Sequence, residues 1–219
     1  YHNLTLLISR AWREGQQLGQ ARIQREWIVE HAEGLIALSG GRLGPIGQTL
    51  LQGRMDEAAE QLKAWMAIFP ERFYLELQRT GREHEEDYLH AAVALAATCN
   101  CPVVATNDVR FLTPGEFEAH EARVCIGEGR TLDDPRRPRK HSSEQYLRSP
   151  EEMAELFADI PEALANTIEI ARRCSVTIPL GTPHLPDFPV PEGMTIEDFL
   201  AKVSREGLAA RLVALGNPD

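Results

Sequence analysis

Three short apolar segments separated by helix-patterned stretches constrain this chain more than any other feature. Gly34-Leu-Ile-Ala-Leu-Ser-Gly-Gly41 is a near-continuous apolar run ending in a glycine turn, which predicts a buried strand. Arg72-Phe-Tyr-Leu-Glu-Leu-Gln78 has strand character in its aromatics and ends before Gly81, and Pro102-Val-Val-Ala-Thr106 is a β-branched run. Between the first two, Ala58, Ala59, Leu62, Trp65, Met66 and Phe69 recur at three and four, predicting an amphipathic helix over 55–69 stopped by Pro70. Between the second and third, the acidic turn Glu83, Glu85, Glu86 and Asp87 suits a helix N-terminus, and Tyr88, Leu89, Ala92, Val93 and Ala96 form one stripe. Strand, helix, strand, helix, strand implies an α/β fold with parallel strands and right-handed helical crossovers.

The flanks are helical. Leu4, Leu7, Ile8, Ala11 and Trp12 fall at helical spacing in the opening segment, while Trp27, Ile28 and Val29 make a short apolar patch. Thr113-Pro-Gly-Glu116, Ser149-Pro-Glu-Glu152 and Thr195-Ile-Glu-Asp198 set a hydroxyl three residues before a carboxylate, and Asp159-Ile-Pro-Glu162 does so with an Asp. Helices are therefore expected from about residues 114, 150, 160 and 196. Pro179, Pro183, Pro186, Pro189 and Pro191 make 177–194 an extended connector, placing domains at 1–176 and 195–219, with a fourth strand conceivable at 175–180. Three parallel strands cannot close a barrel, and the chain opens at Tyr1 within a helical pattern, so it is expected to be an internal piece of a longer protein with strands upstream.

Charge narrows the function classes. With 33 acidic against 23 basic residues the net charge is −10, which opposes wrapping of a nucleic acid, so any contact with DNA must be local. No apolar run approaches the roughly 20 residues of a membrane span. Cys99, Cys101, Cys125 and Cys174 lack redox or zinc-knuckle spacing, which suits free thiols in the cytoplasm.

In parallel α/β folds chemistry collects where strands run into the following loops. Those ends carry Ser39-Gly40-Gly41-Arg42, then Glu76, Gln78, Arg79 and Thr80, then Thr106-Asn107-Asp108-Val109-Arg110. Asp108, a carboxylate at a strand end beside an Asn, is the best single candidate metal ligand, and a cap for the following backbone is its weightier ordinary role. The histidines are scattered; His120 could return toward the rim, although beside Glu118 and Glu121 it reads as a solvated helix residue. No complete metal centre, nucleophile elbow or Walker lysine emerges. Arg130, Arg136, Arg137, Arg139 and Lys140 form a basic loop that either touches a nucleic-acid backbone or is a solvated loop partly neutralised by Asp133 and Asp134.

Phe73-Tyr-Leu-Glu-Leu-Gln-Arg-Thr-Gly81, Pro102-Val-Val-Ala-Thr-Asn-Asp-Val-Arg-Phe111, Thr131-Leu-Asp-Asp-Pro135 and Leu156-Phe-Ala-Asp-Ile-Pro-Glu-Ala-Leu-Ala-Asn-Thr167 resemble the N-terminal part of bacterial DNA polymerase III alpha subunits. That part is a PHP (polymerase and histidinol phosphatase) domain. The resemblance implies a distorted barrel of about seven βα units, here lacking its N-terminal strands, then a passage toward the polymerase's thumb and palm. Metal-binding members carry an early His-x-His, then Gln-x-His-Gly and Asn-Asp-x-His. This chain has Thr80 and Arg110 at the two later histidine positions, and a cation there would repel a divalent ion. The pattern resembles the metal-depleted branch, with Asp108 vestigial and Arg110 available to pair with it. It implies a non-catalytic scaffold within a replicative polymerase, with no cofactor of its own and Mg²⁺ in the parent's polymerase site. It also implies docking of the proofreading exonuclease subunit, contacts with other replicase subunits, and DNA reached through the parent. The competing expectation is a working metal-dependent phosphoesterase or 3′–5′ exonuclease using Asp108, His120 and upstream histidines.

Overall fold

The computed structural model describes residues 1–177, 180–183 and 188–216. It divides the chain into two units, Tyr1–Val176 and Thr177–Asp219. In the first unit, helix α1 (His2–Arg13) precedes a small antiparallel pair, β1 (Gln16–Gln17) with β2 (Gln20–Ala21), and then α2 (Arg25–Glu30). A three-stranded parallel sheet follows, built in chain order from β3 (Ala37–Leu38), β4 (Phe73–Gln78) and β5 (Val103–Thr106). Helices α3 (Pro45–Leu51) and α4 (Met55–Ile68) connect β3 to β4, and α5 (Glu85–Cys99) connects β4 to β5. Beyond the sheet lie α6 (Phe117–Glu128), α7 (Pro150–Leu156) and α8 (Pro161–Arg173).

The core follows from the period of two along β4. Phe73, Leu75 and Leu77 point into an apolar cluster with Leu62 of α4, Leu89, Ala92 and Leu95 of α5, and Phe157. The intervening residues Glu76 and Gln78 occupy the opposite face, so this strand carries its polar groups away from the helix layer. The outer edge of β5 is met by α8, whose Asn166 side-chain amide donates to the Val103 carbonyl at 2.8 Å. That bond satisfies an edge acceptor that would otherwise be open. Arg79, just past β4, reaches the Leu156 carbonyl at 2.7 Å and grips Asp159 with two bonds of 2.6 and 2.8 Å.

Several expectations change. The run 34–41 yields only two strand residues, and Leu38 is exposed, because the chain turns at Gly40 and Gly41 into a single 3₁₀ turn over Gly41–Leu43. Leu4, Ile8 and Trp12 lie exposed on α1, which buries only Leu7 and Ala11. Asp159 does not cap α8; Ile160 holds the cap position and the Asp159 carboxylate is committed to Arg79. The capping boxes at Thr113/Glu116 and Ser149/Glu152 form as the spacing predicts. These three parallel strands form an open sheet and no barrel closes among the described residues.

In the second unit α9 (Ile196–Ala214) starts at Thr195, whose hydroxyl accepts from the Asp198 amide at 3.1 Å. Residues 178–179 and 184–187, and with them parts of the expected connector and fourth strand, lie outside the described residues.

Two outcomes are expected. Gly47 lies in α3, where a Cβ would sit 2.3 Å from the Gly41 carbonyl oxygen and 2.8 Å from the Arg42 Cα. Gly47→Ala is therefore expected to destabilise by about 1–3 kcal/mol in urea unfolding, against the roughly 1 kcal/mol gain of an ordinary helical Gly→Ala change. The Arg79 hydrogen bond holds the Asp159 carboxyl below its usual range. A depressed carboxyl contributes stability that is present above its unfolded value of about 3.9 and lost as pH falls through its lower folded value. The acid-side fall in unfolding midpoint should be shallower in Asp159→Asn, and only modestly so because the pair is solvent-screened.

Candidate functional site

The ends of β4 and β5 are in register, with Gln78 opposite Thr106 and Glu76 opposite Val104. This register lets the Thr106 hydroxyl donate to the Glu76 carboxylate at 2.5 Å, while the Gln78 amide reaches Glu76 at 3.1 Å and Thr106 at 3.2 Å. At β3 the Ser39 hydroxyl accepts from the Glu76 amide at 3.0 Å. Gly41, with φ of 57°, brings its backbone against Gln78, so that a Cβ at this position would lie 3.4 Å from the Gln78 Oε1. The three turns thus meet at one rim.

One guanidinium ties that rim together. Arg82 donates from Nε to Glu85 at 2.9 Å, from Nη1 to Asp108 at 3.0 Å and from Nη2 to Gln78 Oε1 at 2.9 Å. Its side chain is 8% exposed and that of Glu85 4%. Glu85 also accepts from the Thr80 amide at 2.6 Å, the Thr80 hydroxyl at 2.7 Å and the Arg82 amide at 3.2 Å. Asp108 is held from a second side by Arg110, 2.8 Å from Oδ1, and by the buried Gln145, which donates to Oδ2 at 2.9 Å. Ser142 donates to the Thr80 carbonyl, and the Arg110 amide to the Gln145 carbonyl at 2.8 Å, so the 142–145 loop is seated on the same rim.

This arrangement answers what Asp108 can ligate. Both of its oxygens face guanidinium groups, one of them on a largely buried arginine. A divalent ion at Asp108 would have to displace or approach two cations, one of them buried, which electrostatics oppose. The residues at this position do not fit the metal centre of the metal-binding proteins that the chain's motifs resemble. Thr80, at one histidine position, is fully buried and spends its hydroxyl on Glu85; Arg110, at the other, pairs with Asp108 as its chemistry suggests.

A second cluster lies on α6. His120 is not the solvated helix residue expected from its neighbours but is 7% exposed, because Phe111 and His141 pack against its ring. Glu121, also buried, faces Nδ1 of His120 at 3.6 Å and Nδ1 of His141 at 3.4 Å through Oε1, and pairs with Arg137 through Oε2. Burial pushes the Glu121 carboxyl up, but the Arg137 bond and charge with His141 carry it below its usual range. The basic loop is mostly neutralised within the chain. Arg130 and Arg136 pair with Asp134, Arg137 with Glu121, and Lys140 with Glu128. The cysteines are free, and burial raises the Cys101 thiol to about 11. No described helix is long and apolar enough to cross a membrane.

Sequence reasoning places Asp108, Thr80, Gln78 and Glu76 at the rim but passes over Arg82, Glu85 and Gln145. Thr80-x-Arg82-x-x-Glu85 does hold a signal, an Arg and a Glu three apart at a helix start. Nothing in the spacing of His120 and His141, separated by the whole basic loop, announces that their rings touch.

Residues 1–80 match the PHP domain family. The chain is 61% identical over 98% of its length to the DNA polymerase III subunit alpha of Pseudomonas aeruginosa. It is 56% identical over 98% to that of Escherichia coli K12, and 56% over 97% to that of Vibrio cholerae. The chain is similar to DNA polymerase III alpha subunits across nearly its whole length, and it spans 18% of the length of each of these three relatives.

Removing Arg82 would leave the deeply buried Glu85 without its cation and Asp108 with Arg110 as its one remaining guanidinium. Arg82→Met is expected to cost about 3–5 kcal/mol in urea unfolding, the range for breaking a buried pair. Asp108→Ala should also lower the melting temperature, since it leaves Arg82 without one partner; an unchanged midpoint would exclude the pairing.

Proposed function

We infer that this relative of the DNA polymerase III alpha subunits is a segment of the catalytic subunit of a bacterial replicative polymerase, and that the segment itself is a non-catalytic scaffold. The observation that carries the scaffold reading is the occupation of both Asp108 oxygens by the guanidiniums of Arg82 and Arg110. Metal-assisted hydrolysis needs carboxylates and imidazoles free to hold an ion that activates water. Here the carboxylate at the third strand end is a structural anion, and the residues around it make hydrogen bonds that fasten strands and loops. Nucleotidyl transfer in the parent protein would proceed elsewhere, at magnesium ions held by carboxylates of the polymerase region.

A scaffold at this place in a replicase would serve its partners. The proofreading exonuclease subunit is the proposed one, with other replicase subunits nearby and DNA engaged through the parent protein in the cytoplasm. Most of the basic loop's charge is already paired internally, which argues against 130–140 as a principal DNA contact. The competing reading, a phosphoesterase or 3′–5′ exonuclease using Asp108 together with His120, has less support. Among the described residues His120 groups with Glu121 and His141 rather than with Asp108.

The test supplies the protein with Mn²⁺ or Zn²⁺ and measures release of phosphate from an aryl phosphate and of nucleotides from a 3′-labelled single strand of DNA. No hydrolysis dependent on Asp108 is expected. Turnover that disappears in Asp108→Ala would overturn the scaffold reading, and failure of the proofreading subunit to co-purify with the protein would overturn the docking role.

A further inference from the structure

We propose that His120, Glu121 and His141 form a binding site for a zinc-class divalent cation, one that does not use Asp108 and that clasps the basic loop to α6. One ring nitrogen of each histidine and one Glu121 oxygen lie within 4.8 Å of one another. Glu121 Oε1 is 3.6 Å from Nδ1 of His120 and 3.4 Å from Nδ1 of His141. A tetrahedral zinc with bonds of about 2.0–2.1 Å sets neighbouring ligand atoms about 3.3–3.5 Å apart, so the triad is close to ligating geometry. The His120 separation is too long for a hydrogen bond, and the His141 one is at the outer limit of such a bond.

The unspent polar atoms point the same way. His120 Nδ1 and Glu121 Oε1 are both buried and have no hydrogen-bond partner, and the His120 side chain is 5% exposed. Buried polar atoms are otherwise nearly always satisfied, and a site with two adjacent orphans of ligand type, a nitrogen and a carboxylate oxygen, is one a cation would complete. Arg137 does not block it. Unlike Asp108, whose two oxygens both face cations, Glu121 gives Arg137 only Oε2 and keeps Oε1 toward the histidines. A ligating carboxylate whose second oxygen accepts a hydrogen bond is a common supporting arrangement for metals. Two imidazoles and one carboxylate suit zinc better than magnesium or calcium, and a water would complete four-coordination.

The cation would join α6 to His141, on the far side of a polar loop. In this reading it replaces the packing that a polar loop cannot supply.

The test strips the intact protein with a chelator, dialyses it against Zn²⁺ alone and measures metal content and melting temperature. One zinc per chain more than in His141→Ala is expected. Added Zn²⁺ should raise the melting temperature of the unaltered protein and of Asp108→Ala, but not that of His141→Ala. Equal zinc content in the unaltered protein and a folded His141→Ala variant would overturn the proposal. Should His141→Ala fail to fold, Co²⁺ decides on the unaltered protein: intense visible absorption of a tetrahedral nitrogen-oxygen site supports the clasp, and a weak octahedral spectrum overturns it. Zinc lost in Asp108→Ala but kept in His141→Ala would overturn both this clasp and the scaffold reading, whereas loss in His141→Ala alone leaves the scaffold reading intact.

Discussion

The Arg82 guanidinium is the constraint on which the rim depends. It sits where β4 has ended and α5 begins, and its three nitrogens are spent on Glu85, Asp108 and Gln78. One planar group thereby fixes the start of a helix, the end of a strand and the loop after the next strand. Arginine suits this role because its donors leave in a rigid fork, while a lysine would offer a single point of charge. Such networks add little net stability over a well-packed apolar alternative, since each ion gives up its hydration. What they add is position: each partner has one geometry in which all its groups are satisfied.

That placement also decides chemistry. Parallel strand ends converge at a rim in which backbone amides, carboxylates and loops meet, and this is the usual ground for a metal or substrate. In this chain the ground is occupied by the protein's own cations. Thr80 and Arg110 stand where the resemblance implies ligating imidazoles, and Arg82 binds the carboxylate partner of each, Glu85 and Asp108. The rim keeps the form of a site while its residues satisfy one another.

Legibility varies with how local each feature is. The helices at 150 and 196 are readable because Ser149 and Thr195 act on amides three residues ahead, so the signal and its effect lie within one turn. Strands β4 and β5 are readable from their composition. The 34–41 run misleads because apolar content alone cannot show where a chain must turn, and the positive φ of Gly40 and Gly41 ends the strand after Leu38. Asp159 misleads because a distant arginine outcompetes the adjacent helix start for its carboxylate. Glu85 reads locally as a partner of the helix dipole, yet it is buried, since Thr80 and Arg82 fold back over it.

The sequence by itself determined the alternation of strands and helices, the caps, the acidic balance and the motifs in which Thr80 and Arg110 stand where the resemblance implies histidines. These are properties of neighbouring residues and of residue type. Tertiary structure alone decided that Arg82 would neutralise Asp108, that Gln145 would close over it, and that His120 and His141 would meet across a charged loop. The reason is physical: burial and ion pairing depend on distance through space, and side chains far apart in the chain acquire their partners only when the sheet and its loops bring them together.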